Sequence, residues 1–184
     1  MQLKAFFKFL TIYVLLHFSS HHVNCGLCDE EIIGFRRLGA YYATDVNATK
    51  YMKVFYLSID FEANWMDSRS FCKTFEMDLA TFDSSYEFSI FLKHAMKSVS
   101  YFDKWTHIGG ISKIIGKHRE WYWINTNRRI TYNMQFAVGQ PNNYLGRQNC
   151  LGISKEEKTF EFQDIDCHNR FEEKFICQKI CTYF

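Results

Sequence analysis

The segment Gly139-Gln140-Pro141-Asn142-Asn143 holds the only proline in a chain of 184 residues, and Cys150 follows soon after it. A second polar group, Phe162-Gln163-Asp164-Ile165-Asp166-Cys167, also closes on a cysteine. Amide and carboxylate side chains supply the oxygens that a hard cation takes as ligands, and the donors and acceptors that sugar hydroxyls need. Proline is the residue at which a cis peptide costs little, and a cis bond here would turn Gln140 and Asn142 toward one ligand. The chemistry this pattern predicts is binding. His94, His107, His118 and His168 are scattered without the spacing of a zinc site or a nucleophile–base pair, so no enzyme is expected.

The bulk properties fit a binding module. With 47% hydrophobic and 18% aromatic residues there is ample material for a core, and a formal net charge of +2 offers no basic stripe for nucleic acid. Lys4 and Lys8 precede the apolar run 9–16, and the sequence turns polar at His17. That order predicts a secretory signal over residues 1–25, because the run is too short to span a bilayer, with a retained anchor as the alternative. Its removal takes away two lysines and no acid, so 22 basic against 20 acidic residues become 20 against 20. Seven cysteines in a secreted chain predict disulfides, and cleavage after Cys25 leaves an even six. No βαβ pattern surrounds Cys25-x-x-Cys28 and no second ligand pair follows, which argues against a redox or metal pair.

The elements that must position the polar groups are legible in outline. Residues 26–50 read as a mixed N-terminal stem carrying the sequon Asn47-Ala48-Thr49, a glycosylation site if exposed. Residues 52–57 are rich in β-formers and predict a strand. Asn64 with Asp67, and Ser84 with Glu87, are the caps of two helices. Trp65, Ser68, Cys72 and Phe75, with Phe71 beside them, share one face of the first helix. Phe88, Phe91, Leu92, Ala95 and Val99 form the buried stripe of the second. Short strands are expected at 105–111, 120–124, 150–153 and 171–178. Two helices followed by many short strands predict an α+β fold.

From about Tyr51 onward these residues resemble the C-type lectin-like domain, including the single-domain secreted lectins of insects. Trp65-x-x-x-Arg69-x-x-Cys72 resembles the family's first helix with its first core cysteine, and Asp78-Leu79-Ala80-Thr81 the turn before the second. Ile108-Gly109-Gly110 resembles the core Trp-Ile-Gly strand with His107 in place of tryptophan, and Trp121-Tyr122-Trp123 the strand after it. Gln140-Pro141-Asn142 resembles the long-loop proline motif, Phe162-Gln163-Asp164 the Trp-Asn-Asp strand, and Phe175-Ile176-Cys177 the final cysteine strand.

The resemblance implies a disulfide-stapled C-type lectin-like domain over 51–181, with two helices packed on short antiparallel strands and a long binding loop. It implies bridges Cys72 with Cys177 and Cys150 with Cys167, and Cys28 with Cys181 as a variant of the N-terminal bridge of long-form members. It places the sugar and calcium site on Gln140, Asn142, Gln148, Gln163 and Asp164. Only Asp164 among the five is a carboxylate, where family sites carry several, so calcium is expected to bind weakly. Family members with Glu-Pro-Asn favour mannose and those with Gln-Pro-Asp favour galactose. Gln140 resembles the galactose version and Asn142 the mannose version, and Gln140 tips this chain slightly toward galactose. The function expected is an extracellular lectin for glycans on cell or microbial surfaces. The alternative is a calcium-independent lectin-like module that binds a protein.

Overall fold

A computed structural model describes residues 31–44, 47–157, 159–168 and 172–183. Two helices, α1 (Trp65–Thr74) and α2 (Ser85–Lys97), pack on eight strands. The strands are β1 (Phe35–Thr44), β2 (Lys50–Ser58), β3 (Asp78–Leu79), β4 (Trp105–Ile115), β5 (His118–Trp123), β6 (Cys150–Lys155), β7 (Phe160–Ile165) and β8 (Lys174–Tyr183). They run in the order β1-β2-β8-β4-β6-β7, with β3 beside β8 and β5 beside β4. Every pairing is antiparallel except β4 with β8, where Thr106 and His107 meet Lys174 and Phe175 in parallel. This is the α+β disulfide-stapled fold that the motifs imply.

The helices begin where their caps require. The Asn64 side chain accepts the Asp67 N–H at 2.9 Å and donates back to the Asp67 carboxylate at 2.7 Å. Ser84 Oγ accepts the Glu87 N–H at 3.1 Å. Each helix serves its own part of the core. Phe88, Phe91 and Ala95 of α2 pack with Phe55, Phe82, Trp123, Leu151 and Phe162, while Trp65 and Cys72 of α1 pack with Val54, Tyr56, Leu79 and Phe175. Trp65 also donates its indole N–H to the Ile108 carbonyl at 2.6 Å, which satisfies a polar group that burial would otherwise strand.

The stem expected over residues 26–50 is corrected from Phe35 onward. Residues 35–44 are β1, paired with β2 along its length, so the domain begins well before Tyr51, which lies inside β2. A register shift between Arg37 and Gly39 breaks the alternation that would have marked this strand. Gly39 is needed at that break, since a Cβ there would stand 2.3 Å from the His94 ring of α2. Asn47 is exposed in the turn between β1 and β2.

Two bridges hold the domain as the resemblance implied. Cys72–Cys177 ties α1 to β8, and Cys150–Cys167 ties the start of β6 to the chain leaving β7. Cys181 is disulfide-bonded as well, and Cys28, its expected partner, lies outside the described residues. So do the expected signal and the cleavage after Cys25. Among the described residues no helix is long and apolar enough to cross a membrane.

His107, on β4, is buried with its Nδ1 at 3.2 Å from Ser68 Oγ. Burial disfavours the imidazolium and pulls its pKa down to about 4 from the ordinary 6.5. The unfolded chain therefore binds a proton that the folded chain refuses, and stability rises with pH between those values. Stability should be full above pH 6.5 and fall by roughly 3 kcal/mol by pH 4. Denaturant titrations over that range read the slope, and His107→Asn should flatten it.

Candidate functional site

The long connection from β5 to β6 carries the proline loop and is stitched to β7 on its way. Phe136 bridges Phe162, the Phe162 N–H donates to the Gln135 carbonyl at 2.8 Å, and the Ala137 N–H donates to the Phe162 carbonyl at 2.9 Å. This leads the chain past the strand that holds Gln163 and Asp164. The Gln140 N–H then closes a turn on the Ala137 carbonyl at 2.9 Å, and the Gln140–Pro141 peptide is cis. Beyond it Asn143 (φ 46°) and Leu145 (φ 54°) adopt left-handed conformations before the chain enters β6 at Cys150.

Asp164 is the anchor. It is buried, and its two oxygens are shared among three donors. Oδ1 accepts the Asn142 N–H at 3.0 Å, and Oδ2 accepts the Asn143 N–H at 2.7 Å. The third donor is Arg119 of β5, whose Nη1 lies 2.7 Å from Oδ2. Its Nη2 donates to the Gln148 carbonyl, and the guanidinium rests on the Trp121 ring, 4.4 Å from the centroid. A charge-assisted bond to a buried carboxylate is among the stronger contacts a protein makes. One guanidinium thus joins β5 to both arms of the loop.

The amides of the loop mostly face inward. Asn142 Oδ1 and Gln148 Oε1 both accept the Tyr144 N–H, at 2.9 and 2.7 Å, and Asn143 Oδ1 accepts the Gln148 N–H at 3.2 Å. Of the five residues expected at the site, hydrogen bonds therefore bring Asp164, Asn142 and Gln148 together. Gln140 stands across the proline from Asn142, its Oε1 buried without a partner. Gln163 precedes Asp164 on β7, is buried, and has no partner for Nε2. Arg119 Nε is a third unpartnered atom among these side chains.

The arrangement does not suit calcium, which the resemblance implied. The ion needs several oxygens, some of them anionic. Here the one carboxylate already faces a cation, and the Asn142 and Gln148 oxygens both accept the Tyr144 N–H. Among the described residues no three His, Cys, Asp or Glu side chains are grouped to hold a metal.

Arg119 is the member of this polar cluster that the sequence reading missed. The signal was present in part. A lone carboxylate in a buried ligand set demands a cation, but Arg119 is 45 residues from Asp164, and spacing alone does not choose it from the other basic residues.

The fold and the loop together define a lectin-type binding domain. The family model described as Lectin C-type domain matches residues 62–179, and the chain belongs to that family. C-type lectin 37Da of Drosophila melanogaster is 26% identical over 148 residues, covering 74% of this chain and 75% of that protein. Among solved structures, human lithostathine aligns with a TM-score of 0.57 at 14% identity, covering 88% of this chain and 98% of that one. The C-type lectin domain of murine dendritic cell inhibitory receptor 2, solved with an N-glycan, aligns at 0.51 and 20% identity, covering 75% and 94%.

Proposed function

We propose that the chain is a secreted lectin that binds hexose residues of glycans on cell or microbial surfaces, galactose before mannose, through the Pro141 loop. The observation that carries the reading is the pair of unpartnered amide atoms at the loop. Gln140 Oε1 is a buried acceptor lacking a donor, and Gln163 Nε2 a buried donor lacking an acceptor. Buried polar atoms left open in this way call for a ligand or a water, and a sugar hydroxyl offers both halves of each bond. Family membership and the relative solved with an N-glycan support the ligand class. Tyr144 supports the galactose preference. It is 67% exposed, and its N–H is held by Asn142 and Gln148. Galactose has one contiguous C–H face, and an aromatic ring suits that face. The disulfides and the exposed Asn47 sequon support an extracellular glycoprotein.

A second reading has its own observation. Val138 before the loop is fully exposed and Leu145 within it is 71% exposed, which favours an apolar patch on a protein partner.

Retention on immobilised galactose separates the two readings. The wild-type protein should be retained and released by free galactose, with mannose a poorer competitor. Gln140→Ala should weaken binding about five- to tenfold, the worth of one hydrogen bond. Retention unchanged in Gln140→Ala and lost in Leu145→Ser would favour the protein partner instead.

A further inference from the structure

We propose that the Arg119 guanidinium is the built-in cation of the Pro141 loop, so that the loop is organised and takes its ligand without calcium. A divalent ion in such a loop would gather a carboxylate and carbonyl oxygens from separate segments and lock them together. Arg119 makes the same set of connections. It pairs with the Asp164 carboxylate, which holds Asn142 and Asn143 by their N–H groups, and it takes the Gln148 carbonyl from the other arm. The charges match one to one, and the Asp164 side chain is fully buried while that of Arg119 is 18% exposed.

Calcium would have to displace this arrangement. It would bring two positive charges to a carboxylate whose charge is already met, with the guanidinium as a like-charged neighbour. Of the amide oxygens that would replace its water, those of Asn142 and Gln148 already accept the Tyr144 N–H, and Gln140 Oε1 alone is not enough to complete a coordination shell. Arg119 is in this account a positioning residue. It fixes Asn142 and Gln148, while Gln140 Oε1 and its own Nε are buried beside them without a protein partner.

The inference deepens the reading of this loop as a sugar site and rests on that reading only for its consequence to the sugar. Its test therefore contains no sugar, and the two claims fail separately. Calcium is titrated calorimetrically into the full mature protein, and melting is followed in chelator and at about 10 mM calcium, well above the range of weak extracellular sites. The wild type should give no binding heat and the same melting temperature in both conditions. Arg119→Lys, which keeps the charge but not the two-armed contact, should melt lower and stay indifferent to calcium. Arg119→Met leaves Asp164 unmatched; it should melt several degrees lower in chelator and recover in calcium, because the ion then enters the place the guanidinium held. A structural salt bridge with no bearing on a cation place would lower melting without creating that response. Stabilisation of the wild type or of Arg119→Lys by calcium, or indifference of Arg119→Met, would overturn the proposal. Were Arg119→Met to stay unfolded in both conditions, the wild-type and lysine arms would still decide it.

Discussion

Replacing Lys53 with methionine should cost about 3–5 kcal/mol of folding free energy, the range for breaking a buried ion pair from one side. Lys53 lies on β2 with its side chain 2% exposed, and its Nζ is 2.5 Å from Glu87 Oε1, itself 1% exposed. Asp83 stands 3.6 Å from the same nitrogen, and the Thr81 carbonyl accepts from it at 3.2 Å. Burial is the dominant influence on the Glu87 carboxyl and lifts its pKa above the ordinary carboxylate range, although Lys53 pulls the other way. Without Lys53 that lift grows. A carboxyl with a raised folded pKa gives up stability as pH climbs through that value, so the cost should be small near pH 4 and full at neutral pH. Adding Glu87→Leu should restore most of the loss. Urea titrations of the single and double variants across that range are the measurement, and a pH-independent cost would contradict the account.

The second large effect separates the two bridges. Cys72–Cys177 closes 105 residues and Cys150–Cys167 closes 17. Chain-entropy reasoning gives about 4–5 kcal/mol for the first and about 3 kcal/mol for the second, since the constraint on the unfolded chain grows with the logarithm of loop length. Paired alanine substitutions should follow that order in denaturant. Binding should follow the opposite order, because Cys150–Cys167 fastens the start of β6, two residues after Gln148, to the chain leaving β7, the strand that carries Asp164. Loss of galactose retention should therefore be greater in the less destabilised variant, read at a temperature where both are folded. Equal losses of binding would contradict that placement.

Much of this was legible in the residues. Both helices start at the caps read from Asn64 and Ser84, because a cap is a local bond between residues three apart. Trp65, Ser68 and Cys72 of the first helix and Phe88, Phe91 and Ala95 of the second are buried as the spacing implied. Phe71, Phe75, Leu92 and Val99 are only partly buried, with Phe75 and Val99 beyond the helix ends. The four core cysteines pair as the resemblance implied. β1 was missed because Arg36, Arg37 and the irregularity at Gly39 erase the alternation that marks a strand. β3 is two residues long and has no pattern to read. The Pro141 loop was singled out from its proline and amides, yet its electrostatics were not legible there. The partner of Asp164 comes from β5, and only the folded sheet brings it there. Polar residue types single out a stretch of chain, while which of its oxygens remain free depends on bonds such as those of Tyr144 that no spacing rule encodes.

The central claim is that a hexose is held by the amides of the Pro141 loop with no metal present. Side-chain amide resonances of the isotope-labelled protein, followed by NMR in chelator as galactose is added, test it most directly. The account predicts saturable shifts of the Gln140 and Gln163 amide groups, accompanied by the backbone amide of Tyr144, with mannose producing the same shifts at higher concentration. Shifts confined to residues outside the loop, or shifts that appear only when calcium replaces the chelator, would contradict it.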